Sequence, residues 1–184
     1  MVAVNSEMVA LGSRRPAVAA VDELLTGAPV AVVMFLSNHC PYVRHVGREL
    51  GLITQRLAAK GVGCVGIMSN DVVAYPDDAP DKMVVTARSY GWDFPYLFDE
   101  HQQIAIAYRA ACTPDFFVYD AGGRLAYRGQ FDGARPGNDT PVTGRDLLAA
   151  VNALLAGATP GPDQVPSMGC SIKWRAGNAP EWAP

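Results

Sequence analysis

At 184 residues, 49% of them apolar and 18% charged, the chain carries enough hydrophobic surface for a full core, which excludes a disordered polypeptide. A net charge of −3 with no long basic run argues against a nucleic-acid partner, and no stretch approaches the ~18 uninterrupted apolar residues of a membrane span. In residues 1–18 the Arg14–Arg15 pair follows the weakly apolar part, whereas a secretory signal puts its charge first, so the expected location is cytoplasmic.

Residues 30–36, VAVVMFL, form a continuous β-branched run, the pattern of a central strand buried on both faces. Pro41 then suits a first helical turn, where its missing N–H costs nothing. Val43, Val46, Leu50, Ile53 and Leu57 recur at helical spacing up to Lys60, and Gly61 closes that helix. Residues 62–68, VGCVGIM, predict a second buried strand, parallel to the first through a right-handed crossover. Residues 69–80 read as a loop, with Asp81 capping a helix to about Tyr90. A short strand at 94–99 and a helix at about 100–109 follow. Residues 115–119 and 124–131 predict strands joined by the turn DAGG, the second of them half-buried and antiparallel. A polar loop leads to a last helix at 144–156, capped by Gly157. The order describes an α/β fold with a central mixed sheet flanked by helices. It is read as one domain over 1–157. The tail, 158–184, holds five prolines and two of the three tryptophans, and is expected to pack on that domain.

The four cysteines, Cys40, Cys64, Cys112 and Cys170, are too scattered for a disulfide framework or a zinc ribbon. Cys40 stands apart because it falls where a buried strand meets a helix. Helix N-termini carry partial positive charge and free N–H groups, and both favour a thiolate. His39, Arg44 and His45 add positive character, and Ser37 is positioned to donate a hydrogen bond towards the sulfur. The residues support a nucleophile at Cys40 over an inert core cysteine. By the same reasoning Cys64, inside an apolar strand, is inert core. His39 and His45 beside Cys40 do not make a structural zinc set. Neither a metal nor a cofactor is expected.

The strand VAVVMFLS, the junction NHCPYV and the segment FDEHQQIAIAYRAACTPDFFVYDAGGRLAYRG together resemble the thioredoxin-like superfamily. The likeness is to its peroxiredoxin-like branch, which includes alkyl hydroperoxide reductase and thiol-specific antioxidant. It covers about residues 20–156, and RPGN, PVTG and PSMGCSIKW extend it towards the whole chain. It implies a thioredoxin-like fold with an inserted helix and strand. It also implies that Cys40 is the active-site cysteine and that Pro114 is a cis-proline facing its sulfur. Thr113 would offer backbone groups to a bound thiol substrate, and His39 would line the same site. From the residues alone, an ordinary trans turn at Thr113–Pro114 is the favoured reading.

One departure matters. Disulfide reductases of this superfamily carry CxxC, and this chain has Ser37 in place of the first cysteine. Dithiol exchange within the motif is therefore impossible. Peroxiredoxins carry Thr-x-x-Cys-Pro, which Ser37, Cys40 and Pro41 imitate, and they hold an arginine near the sulfur, a role for which Arg128 is the candidate. Cys112, two residues before Pro114, is the first choice of resolving partner, and Cys170 in the tail the second. Three functions follow. The first is an antioxidant peroxidase in which the Cys40 thiolate becomes a sulfenic acid, re-reduced by thioredoxin or a small thiol. The second is a one-cysteine thiol–disulfide exchanger, and the third a non-catalytic thioredoxin-fold binding module. The substrate is a peroxide or a disulfide, and the oligomeric state is open, with a homodimer among the options.

Overall fold

The computed structural model describes residues 2–3 and 9–183. Of the N-terminal stretch read above for a secretory signal, residues 1 and 4–8 lie outside them. Strand β2 (Val30–Phe35) runs parallel to β3 (Gly63–Met68), and helix α2 (Pro41–Ala58) makes the crossover between them. Strand β4 (Tyr96–Phe98) extends the sheet in parallel beyond β3. Strands β6 (Asp115–Asp120) and β7 (Leu125–Gly129) extend the other edge antiparallel. The five-stranded sheet is thus β4-β3-β2-β6-β7, with β2 at its centre.

The unbroken apolar sequence of β2 follows from that position. Successive side chains leave opposite faces of a strand. Val30, Val32 and Met34 enter one core cluster, while Ala31, Val33 and Phe35 enter another. Helices α2 and α5 (Arg145–Leu155) cover the first face with Val43, Leu50, Leu147 and Val151. Helices α1 (Ala19–Leu25) and α4 (Gln103–Tyr108) cover the second with Val21, Leu25, Ala105 and Tyr108. Helix α3 (Pro80–Tyr90) adds Ala87 and Tyr90 to the first. No described helix is long and apolar enough to cross a membrane.

A second, three-stranded sheet was not apparent in the sequence. Its strands are β1 (Val2–Ala3), β8 (Met168–Ser171) and β5 (Cys112–Thr113), in the order β1-β8-β5 and antiparallel throughout. Strands of two to four residues carry no usable alternation, so only tertiary pairing defines them. The tail also packs through Trp174 on the second core cluster and through Trp182 on Ala111 and Cys112.

Three predicted elements are clearly shorter than expected, among them β7, which spans Leu125–Gly129 of the predicted 124–131. Strand β4 begins after Pro95, which cannot donate to a ladder. Helix α4 is bracketed by left-handed residues, Gln102 at φ 61° and Arg109 at φ 53°.

Helix α2 meets the end of α3 with almost no clearance. A Cβ at Gly51 would lie 2.3 Å from the Tyr90 carbonyl oxygen. Gly51→Ala is therefore expected to lower the unfolding free energy by about 1–3 kcal/mol, measured by urea denaturation, because backbone must move to admit one methyl group.

Candidate active site

Cys40 is the N-cap of α2, in extended conformation, with Pro41 at the first helical position. Its side chain is fully buried, and its Sγ donates to the Thr113 carbonyl oxygen at 3.1 Å. The Thr113–Pro114 peptide bond is cis. Strand β2 delivers the sulfur from one side, and the turn between β5 and β6 delivers Thr113 and Pro114 from the other.

The loop before Cys40 is organised by one carboxylate. Asp78 ends a short 3-10 helix, Pro76–Asp78, and is fully buried. It accepts hydrogen bonds from Ser37 Oγ at 3.1 Å, Asn38 N at 2.7 Å and His39 N at 3.2 Å. His39 Nδ1 approaches it at 2.7 Å and Asn70 Nδ2 at 2.6 Å. Burying a carboxylate is costly unless donors replace its water, and here five do. The cluster reaches Tyr96, whose hydroxyl donates to Asn38 Oδ1 at 3.2 Å. Burial, and then the Asp78 charge, push the Tyr96 phenol well above its ordinary value. The His39 ring stacks on Tyr75 with the centroids 5.6 Å apart.

Ser37 therefore does not act as expected. Its hydroxyl proton points to Asp78, and its oxygen accepts the Cys40 backbone N–H at 3.2 Å. It fixes the backbone at the nucleophile instead of donating to the sulfur. Asp78 was missed from the sequence because YPDDAP looks like any polar turn, and nothing local marks which of two adjacent aspartates is buried.

Arg128 also lies elsewhere. It stands opposite Phe117 in the β6–β7 ladder, on the face that holds Phe35 and Tyr108, whereas Cys40 packs on the other face. There its guanidinium bonds Asp115 at 3.0 Å and the Arg109 carbonyl oxygen at 2.9 Å, and lies over the Phe117 ring. Burial pushes the Asp115 carboxyl above the ordinary range, and Arg128 opposes that rise.

The other cysteines sort just as clearly. Cys112 is fully buried with Ala111 and Trp182, and its register partner is Ser171. Burial, and then the Asp115 charge, push its thiol well above the ordinary value. Cys170 is the register partner of Thr113, whose carbonyl receives the Cys40 thiol, and it packs on the same core cluster as Cys40. Burial, followed by side-chain contact with Cys40, pushes the Cys170 thiol up to about 11. Cys170, the second choice from sequence, is thus in side-chain contact with Cys40, while Cys112 is close enough to feel the Cys40 charge. The signal for it, pairing between a tail strand and a two-residue strand, has no counterpart in local sequence. Burial and the Asp93 charge push Cys64 up to about 12. Among the described residues no group of three or more metal-ligating side chains comes together.

The AhpC/TSA family model matches residues 19–128, the segment that carries β2, the Cys40 junction, Thr113–Pro114 and β7. The chain belongs to the AhpC/TSA family. Within that family its chemistry is thiol-based redox chemistry, with Cys40 at the strand–helix junction. A hypothetical protein from Sinorhizobium meliloti is 44% identical, with 92% of this chain and 97% of that one covered and a TM-score of 0.86. An uncharacterized conserved protein from Geobacillus kaustophilus is also 44% identical, covering 95% and 97%, with a TM-score of 0.86. A putative thiol:disulfide interchange protein DsbE from Chlorobium tepidum shares the thioredoxin-like fold at 18% identity, covering 80% and 99%, with a TM-score of 0.62. No curated protein matches the sequence.

Two outcomes follow from this AhpC/TSA site. Arg128→Met should destabilise the protein by about 3–5 kcal/mol in urea denaturation, because it leaves Asp115 buried without its cation. The alkylation rate of Cys40 in the folded variant should stay at the wild-type value. Separately, folded Cys64 and Cys170 keep protons that the unfolded chain releases above pH ~9. Folded thiols that bind more protons than unfolded ones lose stability as pH rises. Unfolding free energy should therefore fall between about pH 9 and 12, and Cys64→Ala should reduce that fall.

Proposed function

We propose that the protein is a thiol–disulfide oxidoreductase in which Cys40 is the attacking sulfur. The observation that carries this reading is the seat of Cys40: a helix N-cap whose sulfur lies on the Thr113 carbonyl oxygen, beside Pro114. The loop that holds Cys40 is fixed by the bonds to Asp78, so the backbone at the sulfur is ordered in advance.

Exchange is favoured over peroxide reduction because of where two side chains are committed. A peroxidatic site needs a donor and a cation beside the sulfur to polarise the O–O bond. Ser37 gives its proton to Asp78, and Arg128 is tied to Asp115 across the sheet. Peroxide reduction is the second reading. Membership of the AhpC/TSA family and the Cys40–Pro41 pair favour it. In either case the reductant is a small thiol or a thioredoxin.

The test compares the two oxidants. Reduced protein should react with a small disulfide at least about tenfold faster than with hydrogen peroxide at equal concentration, and Cys40→Ser should fall to the uncatalysed rate. Faster reaction with peroxide would transfer the reading to peroxidase. Full activity in Cys40→Ser would overturn both readings.

A further inference from the structure

The C-terminal tail returns to the active site with a sulfur of its own. Strand β8 lies antiparallel on β5, pairing Cys112 with Ser171 and Thr113 with Cys170. Thr113 is the residue expected to offer its backbone to an incoming substrate, and β8 occupies that edge. The fit is close: a Cβ at Gly169 would come 2.0 Å from the Thr113 carbonyl oxygen. The same carbonyl receives the Cys40 thiol, so Thr113 is bonded to Cys40 and paired in register with Cys170, which packs on the core cluster that holds Cys40. The strand also covers the nucleophile. Cys40 has no exposed surface, while Cys170 is half-buried.

The residues after β8 are stitched to the Asp78 cluster. Lys173 N donates to Asn70 Oδ1 at 2.8 Å, and the amide nitrogen of that same Asn70 side chain bonds Asp78. Asp71 N donates to the Lys173 carbonyl oxygen at 2.8 Å, and Gln102 Nε2 does so at 2.9 Å. Gln102 Oε1 accepts from Arg175 N at 2.9 Å. A tail held only as covering would not need its cysteine beside the active sulfur. Here the anchors beyond β8 and the register along it both bring Cys170 there.

From this placement we propose that Cys170 is the second thiol of the catalytic cycle, presented by β8 where a substrate strand would otherwise lie. The proposal rests on Cys40 being the attacking sulfur. The Cys40 thiolate attacks one sulfur of a small disulfide, forming a mixed disulfide and releasing the first thiolate. Cys170 loses its proton to solvent and attacks the Cys40 sulfur, expelling the second thiolate. The products are a Cys40–Cys170 disulfide and two reduced thiols, with two electrons passed to the substrate. An external dithiol resets the pair by the reverse exchange. Because β8 fills the Thr113 edge, small disulfides are the class of substrate expected, and extended polypeptide is disfavoured. The cysteine absent from position 37 is thereby replaced from the other end of the chain.

The experiment treats the reduced full chain with one equivalent of oxidised glutathione, quenches it with acid and maps the cysteines by mass spectrometry. Wild type and Cys112→Ser should both give the Cys40–Cys170 disulfide. Cys170→Ser should stop at the Cys40–glutathione mixed disulfide. Gly169→Ala, which pushes β8 off Thr113, should prolong the mixed disulfide while keeping both cysteines. A wild-type mixed disulfide as persistent as that of Cys170→Ser, or a Cys40–Cys112 bond, would overturn the role of Cys170 and leave Cys40 as nucleophile. No modification of Cys40 in wild type or any variant would overturn both the pair and the proposed function.

Discussion

The buried carboxylate of Asp78 is the constraint on which the site depends. A charge with no contact to water must be surrounded by donors, and those available are the side chain of Ser37, the backbone of Asn38 and His39, the His39 ring and Asn70. Satisfying Asp78 therefore fixes the three residues before Cys40. Ser37, once held, accepts the Cys40 N–H, and the nucleophile's backbone is set in turn. One electrostatic requirement is converted into the position of a sulfur. Asn70 passes the same constraint on, because its other side-chain atom holds Lys173 and with it the start of the last tail segment.

The central sheet divides the remaining polar chemistry. Its strands are buried on both faces, so two ionic arrangements can sit close in sequence and remain separate in function. Asp115 and Arg128 pair on the face of Phe35 and Phe117, where the Arg128 guanidinium lies over the Phe117 ring. Cys40 packs on the other face, in the cluster that holds Val43 and Phe116. Crossing a strand by one residue changes the face, which is why Arg128 and its ladder neighbours serve stability while Pro114 serves the site.

Much of this architecture was legible in the chain. The β-branched run of β2, the helical spacing from Val43 to Leu57 and the proline after Cys40 placed that cysteine at the strand–helix junction where it is found, because each is a local pattern tied to one secondary structure. The errors concerned side-chain direction. Ser37 and Arg128 were assigned to the sulfur from motif spacing and family resemblance, yet each has an acceptor, in Asp78 and Asp115, that sequence distance conceals. Preference for Cys112 over Cys170 came from counting residues to Pro114. In a strand, adjacent residues face opposite ways, and Cys112 turns towards Trp182.

What the sequence by itself determined was the fold class, the central strand–helix junction and the place of Cys40 at it, since hydrophobic period and the helix-start chemistry of proline act over a few residues. What only the tertiary structure decided was the company that cysteine keeps. Asp78 arrives from a turn 38 positions downstream of Cys40 and Cys170 from a strand 130 positions downstream. Pairing across such distances is set by which buried charge must find donors and which free strand edge must find a partner, conditions that exist only once the core has closed.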